Sequence, residues 1–168
     1  MSLLVPLQSI CLISFALLLA AAAWQDLRTM RIADWASLAI VAAFGVWALS
    51  GLAAGNMTFT RIGLAAACGV AVFAIGALGF AAGVLGGGDV KLMAAASLFA
   101  GPALLLDFLM IVALAGGVLG LAMLAGARIG PAACAGDASV ATRLRGRLPY
   151  GPAIAAGGLW VGVTLAAT

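Results

Sequence analysis

The chain has 168 residues, is 66% hydrophobic and 8% charged, and carries a formal net charge of +3. It contains no histidine and no glutamate, and its acidic residues are Asp26, Asp34, Asp89, Asp107 and Asp137. This excludes an ordinary soluble core, serine or cysteine catalysis through histidine, and any histidine-ligated metal.

Charge-free runs cover residues 1–25, 35–60, 62–88, 108–127 and 148–168. Each has about 20 residues or more, and a helix of that length spans roughly 30 Å, the thickness of a bilayer's hydrocarbon core. The sequence therefore reads as an all-α, polytopic integral membrane protein. The first predicted helix covers about 6–25. Its stretch "FALLLAAAAWQ" has the apolar core and small residues of a signal peptide, but no basic residue precedes it, and Arg28 and Arg31 follow it. That charge order predicts a retained helix with the N-terminus outside. A second helix is expected over 35–54 with Asp34 as its N-cap. A third is expected over 62–84, ending at Gly86-Gly87-Gly88. Residues 92–127 admit either one over-long helix or a hairpin broken at Gly101-Pro102. The last helix is expected over 150–167.

The distribution of basic residues decides between the two. With a hairpin, helices at about 89–101 and 104–126 bring the count to six transmembrane helices, with both termini outside. Arg28, Arg31, Lys91, Arg128, Arg143, Arg145 and Arg147 then share the cytoplasmic side, and Arg61 lies outside. A single span would move the four arginines of the 127–148 loop outside, against the positive-inside rule. The arm 89–101 is short, about 20 Å, and must tilt or sit in thinned bilayer. There is no internal repeat, and the whole of 1–168 reads as a single membrane-embedded domain. Its one sizeable polar stretch, the cytoplasmic loop 127–148, is expected to lie solvated against anionic headgroups. Cys11, Cys68 and Cys134 are far apart with no C-x-x-C pair, so they read as small buried residues. The basic residues flank membrane spans, so the bilayer is the expected partner and nucleic acid is not.

In this topology Asp26 closes the first helix and Asp89 opens the fourth, both at the cytoplasmic edge. Ionisable groups near that depth are costly and are functional candidates by default. Two aspartates within reach of each other cannot both ionise easily: one acts as a base while the other keeps its proton. That is the arrangement of aspartic proteases, and it needs no cofactor and no metal. The glycines before Asp89 allow a sharp helix start and close approach of a substrate backbone. Simpler readings make Asp26 an interfacial anchor, Asp89 and Asp34 helix caps, and Lys91 a snorkelling lysine. Asp107 falls one turn inside the outer end of the fifth helix, with water access its simplest account.

Three stretches resemble the type IV prepilin peptidases, a family of G-x-G-D membrane aspartyl proteases. They are "AAWQDLRTMRI" with Asp26, "GGGDVKLMAA" from Gly86 to Ala95, and the proline-glycine start of the last helix, "LPYGPAIAAGG". The chain is similar in particular to the small members that accompany Flp-type tight-adherence pili. The resemblance implies an endopeptidase of the bacterial inner membrane that cuts prepilin or pseudopilin precursors on the cytoplasmic side, after a glycine preceding the substrate's apolar helix. It puts Asp26 and Asp89 on the catalytic positions, Gly86 and Gly88 on the motif glycines, and Lys91 on the lysine that usually follows. The cytoplasmic insert with paired C-x-x-C cysteines found in larger members is missing here, so N-methylation is not implied. Ile32-Ala33-Asp34 stands where the family often has Ile-Pro-Asn. Presenilin-like proteases share G-x-G-D and add Pro-Ala-Leu; Pro102-Ala103-Leu104 falls at the predicted outer turn, away from both aspartates, and the chain is short for that group. A small ion-coupled transporter, or a non-catalytic membrane subunit of a secretion system, are the alternative readings.

Overall fold

The computed structural model describes residues 4–125 and 149–167. Among these residues every regular element is an α-helix: α1 (Leu4–Thr29), α2 (Asp34–Ala54), α3 (Phe59–Ala81), α4 (Gly87–Leu124) and α5 (Gly151–Ala167). The first four are long and apolar enough to cross a membrane, and α5 is a shorter apolar helix of 17 residues. Outward-facing Leu38, Val70, Ile75, Leu78 and Leu106 are each more than two-thirds exposed. In water such a surface would be prohibitive, and in a bilayer it is the solvated face. The chain is an all-α, multi-pass membrane protein.

The helical run of α4 is broken at Gly101, whose φ of 53° and ψ of −170° belong to a region open only to glycine. Pro102 follows as the first residue of a new helical stretch, where its missing N–H costs nothing. Asp89 and Met93 before the break, and Val112, Gly116 and Gly120 after it, line one cavity. In a straight helix Asp89 and Gly120 would lie about 46 Å apart. The two arms, residues 87–100 and 102–124, therefore fold back on each other. This is the hairpin reading of 92–127.

Close approaches fix the other neighbours. A Cβ on Gly69 would meet Leu98, and one on Gly76 would meet Val90, so α3 runs antiparallel to the first arm. Gly157 lies against Phe108 and Val112, and Gly116 against Tyr150, so α5 runs antiparallel to the second arm. Gly158 lies against Leu19 and Gly151 against Asp26, so α1 runs antiparallel to α5 and hence to the first arm as well. An aromatic cluster sets their heights: Phe15 stacks on Phe99 with ring centroids 4.2 Å apart, and Phe44 meets Phe99 edge-on at 5.4 Å. Such pairs hold position better than aliphatic contacts of equal area.

Several helix ends differ from those expected. α1 continues past 25 to Thr29, and the chain turns at Met30 with a φ of 52°. Asp26 is thus one turn inside its helix and does not close it. α2 begins at Asp34 itself, with Ala33 at the N-cap and no side-chain cap bond. Asp34 is therefore the first helical residue and not the cap, and its carboxylate is engaged by Lys91. α3 stops at Ala81, short of the glycine run, and a turn through Gly83, with a φ of 72°, carries the chain to α4. The loop expected over 127–148 lies outside the described residues.

Candidate active site

The buried face of α1 consists of Cys11, Phe15, Leu19, Ala22 and Asp26, at steps of four, four, three and four residues. That is the spacing of one helical face. Asp26, 4% exposed, therefore occupies a core position, where an ionisable group needs a partner. The partner comes from α5. The backbone N–H of Gly151 donates to Asp26 Oδ2 at 2.8 Å. Gly151 opens α5, where first-turn N–H groups have no acceptor in their own helix and the dipole favours an anion. A Cβ at 151 would lie 2.7 Å from Asp26 Cβ and 2.9 Å from Oδ2, so the contact requires glycine.

Asp89 lies in the first turn of α4 and accepts a hydrogen bond on Oδ2 from the backbone N–H of Gly86 at 3.2 Å. A carboxylate at this position of a helix satisfies an orphan donor and complements the dipole. The two motif glycines have separate tasks. A Cβ at 86 would lie 2.5 Å from Asp89 Oδ2, and one at 88 would lie 3.1 Å from both the Cβ and the carbonyl oxygen of Ile32. Gly86 leaves room for the carboxylate, and Gly88 lets the α1–α2 connection close on the start of α4.

The α5 start is in touch with the surroundings of both aspartates. Gly151 holds Asp26, while its neighbour Tyr150 lines the cavity that Asp89 also lines. Depth agrees as well. Asp26 is 11 residues beyond Phe15 and Asp89 is ten before Phe99. On antiparallel helices those steps are about 16 and 15 Å from the stacked rings.

Lys91 is elsewhere. Two residues beyond Asp89, about 200° around the helix, its Nζ bonds both carboxylate oxygens of Asp34 at 2.8 Å. Both side chains are substantially exposed, and a pair of that kind is worth about 0–1 kcal/mol. Asp107 is exposed on the second arm and is not brought to the site. Pro102-Ala103-Leu104 sits at the reversal, at the far end of the arms from Asp89. Among the described residues no group of three or more His, Cys, Asp or Glu could hold a metal ion.

Residues 13–121, about two-thirds of the chain and including both aspartates, match the type IV leader peptidase family. The chain belongs to this family. No curated protein and no solved structure matches it significantly. Membership makes the chain an aspartic protease of the prepilin peptidase kind, and the stretches around Asp26 and Asp89 that resemble that family lie within the match. The third, at the start of α5, lies beyond it. Nothing in the sequence marks Gly151 as the donor to Asp26 or Asp34 as the partner of Lys91. A glycine-proline pair opening a helix is a signal for exposed first-turn N–H groups, though not for the carboxylate that receives them.

Proposed function

We propose that this leader peptidase cuts Flp-type prepilins or pseudopilins at the cytoplasmic face of the bacterial inner membrane, with Asp26 and Asp89 as its catalytic pair and without N-methylating the product. The observation that carries the reading is that two carboxylates from distant helices flank one dipeptide, Tyr150-Gly151, at matching depth. In the reaction, the ionised carboxylate takes a proton from water as the water oxygen attacks the scissile carbonyl. The protonated carboxyl donates to the carbonyl oxygen. Collapse of the tetrahedral intermediate breaks the C–N bond, and a proton passes to the departing amine. Gly86 N–H and Gly151 N–H keep the two carboxylates oriented through this exchange.

Six crossings follow if α1, α2, α3, both arms of α4 and α5 each traverse the bilayer, with both termini outside. Arg28, Arg31 and Lys91 lie at the aspartate end, and Arg61 lies near the start of α3 at the other. The positive-inside rule then makes the aspartate end cytoplasmic. Exposed Trp24, with the Arg28 guanidinium 4.6 Å from its ring centroid, and exposed Trp35 suit a headgroup-level belt at that end. The transporter reading would want the carboxylates near mid-bilayer.

The test is cleavage in membranes. A Flp-type prepilin is co-expressed with the wild type, Asp26→Asn or Asp89→Asn, at matched protein levels. Only the wild type is expected to shorten the precursor. Asparagine caps a helix nearly as well as aspartate, so cutting by both variants would show that the aspartates are structural only.

A further inference from the structure

We infer that the cavity between the two arms of α4 receives the substrate segment bearing the scissile bond, and that Gly117 and Gly120 keep it wide enough for an extended chain. The inference rests on the reading of Asp89 as catalytic. The cavity measures about 520 Å³, within the range of ligand sites, and Asp89 forms part of its wall. Its other walls come from Met93 on the first arm, the glycine face of the second arm, and Tyr150 and Ile154 of α5.

Glycines 116, 117 and 120 share one helical face, a pattern whose usual use in a membrane is close helix packing. Gly116 is used that way, because a Cβ there would sit 3.1 Å from the Tyr150 ring. Gly117 is not. Among the described residues a Cβ at 117 meets nothing within 4 Å, although the residue lines the cavity. Packing among those residues therefore leaves the missing side chain at 117 unexplained, and the space it opens belongs to the cavity that Asp89 also lines.

The chemistry at the cavity wall selects its occupant. Hydrolysis needs an extended backbone at the scissile bond, and glycine walls allow such a backbone close approach. A second apolar space, about 470 Å³, lies between α2, α3 and the first arm. Lys91 and Leu98 of the first arm border it together with Leu38 and Phe73. It is on the opposite side of the arm from Asp89, so a bond held there is out of the carboxylate's reach.

Two measurements test the inference. Gly117→Leu and Gly120→Leu are expected to slow precursor cleavage at least tenfold at wild-type protein levels. Gly45→Leu, on α2 where an added Cβ also meets nothing within 4 Å, is expected to cut at the wild-type rate. Cross-linking covers the case in which a leucine variant folds poorly. In an Asp89→Asn background with the native cysteines replaced, a precursor carrying cysteine beside the scissile bond should form a disulfide with Gly117→Cys and not with Leu38→Cys. Cross-linking at 38 instead of 117, or full-rate cleavage by both leucine variants, overturns the inference. If the wild type cuts no precursor at all, it is the peptidase reading that fails, and this inference falls with it.

Discussion

A carboxylate on the buried stripe of α1 is the feature around which the site is built, and its environment makes a sharp demand on one distant residue. Gly151→Ala keeps the N–H that Asp26 accepts but brings a methyl group within 2.7 Å of Asp26 Cβ. Either the start of α5 or the carboxylate must move. Overpacking of this kind typically costs about 1–3 kcal/mol. We expect Gly151→Ala to lower the unfolding temperature in detergent and to reduce cleavage at least tenfold, a larger loss than the stability change explains. Unchanged cleavage would mean that the Gly151 contact does not position Asp26. Half of this site could be read from the sequence. Asp26 and Asp89 are marked by their shared depth in the charge pattern, and Asp89 by its glycines as well, but the core position of Asp26 is not, because residues 6–25 are apolar on nearly every side and no spacing singles out the buried face. The Asp26–Gly151 bond joins residues 125 apart in sequence, and no local pattern encodes which helix end a buried carboxylate will meet. Lys91 and Asp34 were legible as charges, but not as a pair, for the same reason.

At the scale of elements, α4 carries the decision between one helix and two. Apart from Ser97 and Asp107, residues 92–127 carry no polar side chain, so hydropathy alone does not find the break; Gly101-Pro102 and the balance of basic residues point to it. The structure supplies the backbone reason, since a left-handed φ at 101 is strained for any residue with a side chain. Gly101→Ala is expected to cost about 1–3 kcal/mol, seen as a lower unfolding temperature in detergent micelles. Among the described residues a Cβ there meets nothing within 4 Å, so the cost would come from the backbone and not from a clash. An alanine variant as stable as the wild type would argue against the reversal. The ends of α1, α2 and α3 were displaced by a few residues from their sequence reading because charge marks where a span leaves the apolar layer, whereas backbone hydrogen bonding decides where the helix stops. Asp26 shows the difference: it ends a charge-free run, yet α1 continues for most of another turn.

For the molecule as a whole, the problem is register, because helices in a bilayer can slide past one another without changing how much apolar surface they hide from water. The catalytic pair proposed for α1 and α4 would fail if either helix slid by one residue rise of about 1.5 Å. The Phe15–Phe99 stack lies about 16 Å from the aspartates on both helices and is fully buried at Phe15 and nearly so at Phe99, with Phe44 and Trp47 closing around it. It therefore acts as the pin that sets both depths at once. Phe99→Ala is expected to destabilise by about 3–5 kcal/mol, and Phe15→Ala by a similar amount. The double variant should be less unstable than the two losses added together, with a coupling of about 0.5–1.5 kcal/mol from the lost ring pair. Cleavage separates a pin from mere filler. Phe99→Leu restores most of the volume without the stacked face, so it should recover stability ahead of activity. If activity returned in step with stability across Phe99→Ala and Phe99→Leu, the rings would only fill space, and the common depth of Asp26 and Asp89 would have to come from the bonds at the site itself.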